Sequence, residues 1–124
     1  MELGLIGLGK MGANMAERLL RGGHRVVGFD FSDQALAALA GKGGVASSSL
    51  ADLVARLAAP RAVWMMVPAG DPVDQTLDQL LAHLAPGDAV VDSGNSYYQD
   101  TLRRGERATA AGVAYVNAST SGNI

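Results

Sequence analysis

Gly7-Leu8-Gly9-Lys10-Met11-Gly12 places three glycines at fixed intervals between an apolar run, Leu3 to Ile6, and a segment of helical spacing. A glycine at the first position permits a tight turn. At the second it lets backbone amides approach a bound group, and at the third it lets the following helix pack against the sheet. A helix starting there offers unpaired N–H groups and a partial positive charge, which is the chemistry of phosphate binding. The backbone N–H of Lys10 counts for more in this than its side-chain charge. Asp30 closes the next apolar run 18 residues beyond Gly12, near the spacing of about 20 at which a carboxylate meets the ribose of a dinucleotide. Such a carboxylate accepts hydrogen bonds from both adenosine ribose hydroxyls and repels a 2′-phosphate. The same residues could form a plain turn with a solvated aspartate; their place between a strand and a helix favours the phosphate loop.

These residues need a frame, and the periodicity supplies one. Leu3 to Ile6 reads as a buried strand, and Met11, Met15, Leu19 and Leu20 recur at helical spacing up to Gly22-Gly23. Arg25 to Asp30 is the second strand, and Ser32 caps a helix carrying Leu36 and Leu39. A loop from Gly41 to Ser49, with a short strand around Val45, leads to a helix capped at Ser48 or Ser49 and bearing Leu50, Leu53, Val54 and Leu57. Ala62 to Val67 is a strand buried on both faces. Asp71-Pro72 has the form of a helix start, and Val73, Leu77, Leu80, Leu81 and Leu84 form its stripe. A strand at Ala89 to Val91, a helix at Thr101 to Ala111 and a strand at Val113 to Val116 complete the chain. Apolar strands alternating with helices predict an α/β fold with a doubly wound parallel sheet, a Rossmann-type dinucleotide-binding domain over residues 1–124.

Composition narrows the function classes. With 124 residues, 48% hydrophobic and 18% charged, there is enough apolar content for one cored domain and too little length for two. Ten basic against twelve acidic residues, a net charge of −2, argue against a nucleic-acid face. The absence of cysteine removes disulfides, thiolate nucleophiles and thiolate metal sites. No metal-ligand set is expected. No apolar run approaches the roughly 20 residues of a membrane span, and no leader pattern precedes Gly7. A cytoplasmic protein without membrane or nucleic-acid partners is the expectation.

Four segments together resemble a known family. Gly-Leu-Gly-Lys-Met-Gly-Ala-Asn-Met-Ala (7–16), Met-Val-Pro-Ala-Gly (66–70), Asp-Ser-Gly-Asn-Ser-Tyr-Tyr (92–98) and Thr-Ser-Gly (120–122) resemble the β-hydroxyacid dehydrogenase superfamily. Within it they resemble most the decarboxylating 6-phosphogluconate dehydrogenases, the Gly-Asn-Ser-x-Tyr pattern being the more specific feature. The resemblance implies cofactor contacts at Gly7, Leu8, Gly9, Lys10, Met11 and Gly12, at Asp30, Phe31 and Ser32, and at Val67, Pro68 and Ala69. It implies that Asn95 touches both nicotinamide and substrate, and that Ser121 and Gly122 bind substrate. Relatives that use NADP resemble Asn-Arg-Thr where this chain has Asp30-Phe31-Ser32, so NAD is the implied cofactor. The implied substrate is a phosphorylated sugar acid, and the implied parent enzyme is a homo-oligomer.

The resemblance puts no catalytic residue in this chain: its general-base lysine, its glutamate acid and its helical second domain fall beyond Ile124. Residues 1–124 alone are therefore expected to be catalytically inactive. Ser93-Gly94 stands where the family resembles Gly-Gly, and Ser121-Gly122-Asn123 where it resembles Ser-Gly-Gly. Two other readings stay open. One is a 3-hydroxyisobutyrate-type dehydrogenase or imine reductase relative; the other is a non-catalytic NAD-sensing module.

The remaining polar and aromatic residues read as structural. Met11 and Met15 are expected as core gap-fillers, with Met11 also beside the cofactor. Trp64 is expected in the core, and Tyr97 and Tyr98 as packing residues. His24 and His83 read as solvated surface residues, Asp71 and Asp74 as a helix start. Arg103, Arg104 and Arg107 read as a solvated helix face.

Overall fold

The computed structural model describes residues 1–67, 71–93 and 98–118, with only the backbone of Tyr98. Strands β1 (Glu2–Ile6), β2 (Arg25–Phe29), β3 (Val45–Ala46), β4 (Ala62–Met65), β5 (Ala89–Asp92) and β6 (Ala114–Asn117) alternate with helices. These are α1 (Lys10–Arg21), α2 (Asp33–Gly41), α3 (Leu50–Ala55), α4 (Asp71–Leu81) and α5 (Tyr98–Ala110). All strand pairs are parallel, in the order β3-β2-β1-β4-β5-β6. This is the doubly wound sheet that the alternation predicts, and the order reverses beside β1.

Each strand sends successive side chains to opposite faces, and helices cover both. Leu5 and Val26 join Ala16 of α1 and Leu39 of α2 on one face. Ile6, Val27, Val63, Met65 and Val90 join Leu53 of α3, Leu77 of α4 and Ala108 of α5 on the other. Burying one such aliphatic side chain contributes about 1.5–3 kcal/mol, so both helical layers are held largely by these stripes. Side-chain caps set two of the helix starts: Ser32 Oγ accepts from Ala35 N–H, and Ser49 Oγ from Asp52 N–H. At the other end of α1, Gly23 takes φ +86° and lets the chain turn back into β2. The outer strand β6 is largely exposed.

Polar pairs tie the layers at the amino ends of the strands. Asp88, almost wholly buried, accepts from Arg61 N–H at 2.6 Å, Ala85 N–H at 2.8 Å and the Arg61 guanidinium at 3.2 Å. Burial opposes its ionisation, yet these donors outweigh it and hold the carboxyl below its usual range. Asp74 is held down as well, chiefly by its bond from Arg104. A carboxylate depressed in the folded state adds stability above its unfolded pKa of about 3.9, and that contribution is lost as pH falls toward the folded value. Denaturation measured between about pH 6 and pH 3 is therefore expected to show stability falling below about pH 4. Asp88→Asn should flatten that limb; an unchanged slope in the variant would remove Asp88 from the account.

Three expectations are corrected here. Arg104 is not on a solvated face: its side chain has no exposure and pairs with Asp74, while Arg103 and Arg107 reach the same carboxylate from nearer the surface. A charged residue on a helix reads as solvated, and only partners about 30 positions away in α4 reverse that. Met11, in the first turn of α1, is not in the core but 57% exposed. His24 is half-buried rather than solvated, its Nδ1 enclosed in the turn after α1.

Candidate functional site

The three glycines of the loop are required for different reasons. Gly7 has φ +92°, a region that disfavours side chains, and a Cβ there would overlap the Met66 carbonyl. Its N–H donates to the Phe29 carbonyl at 3.0 Å, and Met66 N–H donates to the Ile6 carbonyl at 2.7 Å, so the turn is seated between β2 and β4. At Gly12 a Cβ would overlap the Gly7 carbonyl oxygen, which is how closely α1 approaches the strand end. Gly9 differs from both. A Cβ there would meet nothing within 4 Å, so no part of the described chain requires glycine at this position.

The space in front of Gly9 faces the start of α1. Gly9 is the N-cap, it provides no side-chain bond, and the first turn carries no acid. The other four helices each carry an aspartate in the first turn. A helix start keeps its first N–H groups unpaired unless a cap or an anion meets them. Among the described residues no side chain caps the amides following Gly9, which leaves them placed as a pyrophosphate would require.

Asp30 stands opposite. Its Oδ2 accepts from Leu8 N–H at 2.7 Å and its Oδ1 from Ser32 N–H at 2.8 Å. Each carboxylate oxygen keeps further acceptor capacity, so ribose hydroxyls can still be met. The bond to Leu8 is a second role that spacing gave no hint of: the carboxylate also anchors the glycine loop. Leu8 itself is turned inward, with its side chain buried in the α1–α2 face and its N–H engaged. Ser32 caps α2.

Two adjoining clefts open at the carboxyl ends of the strands. The larger, about 610 Å³, is lined by Gly7, Gly9, Asp30, Phe31, Val67 and the α4 residues Gln75, Thr76 and Gln79, among others. Phe31 is 93% exposed, and its ring meets Phe29 edge-on at 5.3 Å between centroids. The second, about 350 Å³, is lined by Gly9, Lys10, Met11, Gly12, Met66, Val67 and Ser93. Both lie where the strand order reverses, the position at which open α/β sheets take their ligands.

The expected contact residues thus divide. Gly7, Gly9, Lys10, Met11, Gly12, Asp30, Phe31 and Val67 line one cleft or both, and Leu8 and Ser32 stand behind them. Pro68, Ala69, Asn95, Ser121 and Gly122 lie outside the described residues. Gln75, Thr76 and Gln79 were missed, because polar residues between the apolar positions of α4 read as a solvated face. Ser93, where the family resembles glycine, donates its hydroxyl to the Met65 carbonyl at 2.9 Å and packs on the Met66 sulfur.

A family model described as the NAD binding domain of 6-phosphogluconate dehydrogenase matches residues 2–124. The chain belongs to this family. An NAD(+)-dependent, decarboxylating 6-phosphogluconate dehydrogenase from Haloferax volcanii is 50% identical over 122 residues, covering 98% of this chain and 40% of the relative. The chain therefore spans about two fifths of that relative's length. Among solved structures, 3-hydroxyisobutyrate dehydrogenase from Mycobacterium tuberculosis superposes with a TM-score of 0.85 at 28% identity, over 94% of this chain and 39% of that one. The 6-phosphogluconate dehydrogenase of Plasmodium falciparum gives a TM-score of 0.82 at 25% identity, over 93% and 26%. Backbone shape is shared across both groups of dehydrogenase, and residue identity carries the family assignment.

Proposed function

We propose that this chain binds NAD in preference to NADP and serves a polypeptide that oxidises and decarboxylates 6-phosphogluconate. The observation that carries the cofactor part is the open space in front of Gly9, between the uncapped start of α1 and Asp30. The α1 amides hold the pyrophosphate, Asp30 takes the adenosine ribose, and Phe31 flanks the adenine end of the larger cleft. Val67, Pro68 and Ala69 pass beside the nicotinamide half. Asn95 touches nicotinamide and substrate, and Ser121 and Gly122 touch substrate, as the family pattern implies. When bound, the nicotinamide accepts a hydride from the carbinol carbon of the substrate. The chain's own contribution is to orient that ring and to neutralise the pyrophosphate charge.

The structural likeness to 3-hydroxyisobutyrate dehydrogenase keeps one alternative substrate in play. Steady-state assays of the complete polypeptide with NAD separate the two. Turnover of 6-phosphogluconate with no turnover of 3-hydroxyisobutyrate is expected. The reverse pattern moves the assignment to the second enzyme, and NAD binding without turnover of either acid would favour a sensing module.

A further inference from the structure

The sequence holds five methionines, and the fold gives them unequal surroundings. Met65 is wholly buried in β4, and Met15 and Met66 are half-buried. Met1 and Met11 are exposed. Met1 precedes β1, at the amino ends of the strands, whereas both clefts open at the carboxyl ends. Met11 is therefore the exposed methionine that stands at a cleft: with Gly9, Lys10 and Gly12 it lines the second one. Met66 lines the same cleft, but its Sδ is packed 2.7 Å from the Ser93 hydroxyl. Two thioethers thus share one cavity, and of the two only Met11 is largely exposed to solvent.

A thioether needs no deprotonation to act as a nucleophile, so access to the sulfur governs its reaction with a peroxide. The sulfur attacks one oxygen of hydrogen peroxide, an S–O bond forms and the O–O bond breaks. The proton on the transferred oxygen passes to the departing hydroxide, which leaves as water. Sulfur loses two electrons and the peroxide gains them. The product is a polar, chiral side chain in place of a flexible apolar one, and its oxygen accepts hydrogen bonds and carries partial negative charge. Side chains of a helix tilt toward its N-terminus. On Met11 the new oxygen therefore belongs to the first turn of α1, where no side chain among the described residues caps the amides. It competes there for the N–H groups proposed to hold pyrophosphate, and it repels the same charge.

We propose that Met11 is an oxidation site through which peroxide lowers the affinity for dinucleotide, while Met66 beside it is spared. This rests on the dinucleotide function proposed above. The test treats the complete polypeptide with hydrogen peroxide, follows each methionine by peptide mass spectrometry, and titrates NAD by calorimetry before and after. Met11 is expected to form sulfoxide ahead of Met66, and NAD affinity to fall at least about fivefold in step with it. Saturating NAD during treatment should slow oxidation at Met11 but not at Met1, which serves as an internal measure of dose. Methionine sulfoxide reductases should restore the affinity as Met11 is reduced. In Met11→Leu, whatever its own affinity, the same treatment should change NAD binding by less than about twofold. If that variant binds too weakly to titrate, the reductase step decides alone: affinity that stays low once Met11 is reduced overturns the proposal. Sulfoxide at Met11 with unchanged affinity, faster oxidation of Met66, no protection by NAD, or an equal loss in Met11→Leu would each overturn it as well. An untreated protein that does not bind NAD would overturn the dinucleotide function itself, and this inference with it.

Discussion

Gly9→Ala is expected to weaken NAD binding at least tenfold, about 1.4 kcal/mol, while leaving the folded state almost untouched. The added methyl meets nothing of the described chain within 4 Å, so it costs no packing. It occupies the space through which the α1 amides would reach a pyrophosphate. Gly12→Ala provides the contrast. Its methyl overlaps the Gly7 carbonyl, and because backbone rather than a flexible side chain must yield, it should cost about 1–3 kcal/mol of stability as well as binding. Thermal melts and calorimetric titrations of the two variants check the pair. Normal NAD affinity in a folded Gly9→Ala protein would reduce the loop to a turn.

Replacing Asp30 should have the larger effect on affinity. A hydrogen bond to a charged group contributes about 1.5–3 kcal/mol, so Asp30→Ala, losing the ribose contacts, is expected to bind NAD roughly a hundredfold more weakly. It should not become an NADP protein in exchange. The same carboxylate receives Leu8 N–H and Ser32 N–H, and removing it leaves the glycine loop without its anchor for either cofactor. Asp30→Asn keeps an acceptor and removes the repulsion toward a 2′-phosphate, so it should narrow the gap between NAD and NADP with a smaller loss of loop geometry. Titrating both cofactors against the unsubstituted protein and both variants resolves the two roles. Equal or tighter NADP binding by the unsubstituted protein would refute the selectivity assigned to Asp30.

How far a site can be read from a chain depends on how local its causes are. The strand–loop–helix at Gly7 to Gly12 is local, and glycine spacing exposed it. The doubly wound sheet was equally legible, since Leu5 and Ile6, or Val26 and Val27, face opposite layers and must both be apolar. Boundaries were less so: β4 ends at Met65 although the apolar run continues to Val67, because Met66 turns to seat Gly7. Two features depended on distant partners and left no mark in the pattern. Asp30 bonds to an amide 22 positions earlier, and Arg104 to a carboxylate 30 positions earlier. Gln75 and Gln79 were passed over for a related reason, since a polar face of a helix reads alike whether it meets water or a ligand.

The central place of the first strand bears on how the protein is made. β1 leaves the ribosome before either of its neighbours, and it pairs with β2 on one side and β4 on the other. The seat of the glycine turn needs the Phe29 carbonyl and the peptide of Met66, so it is complete only after more than half of these residues have been synthesised. Until then the N-terminal segment is an apolar strand with an open edge, the condition in which nascent chains are exposed to mispairing. A dinucleotide cannot help the chain through that interval, because the phosphate site proposed for it is finished by the strand that closes the gap.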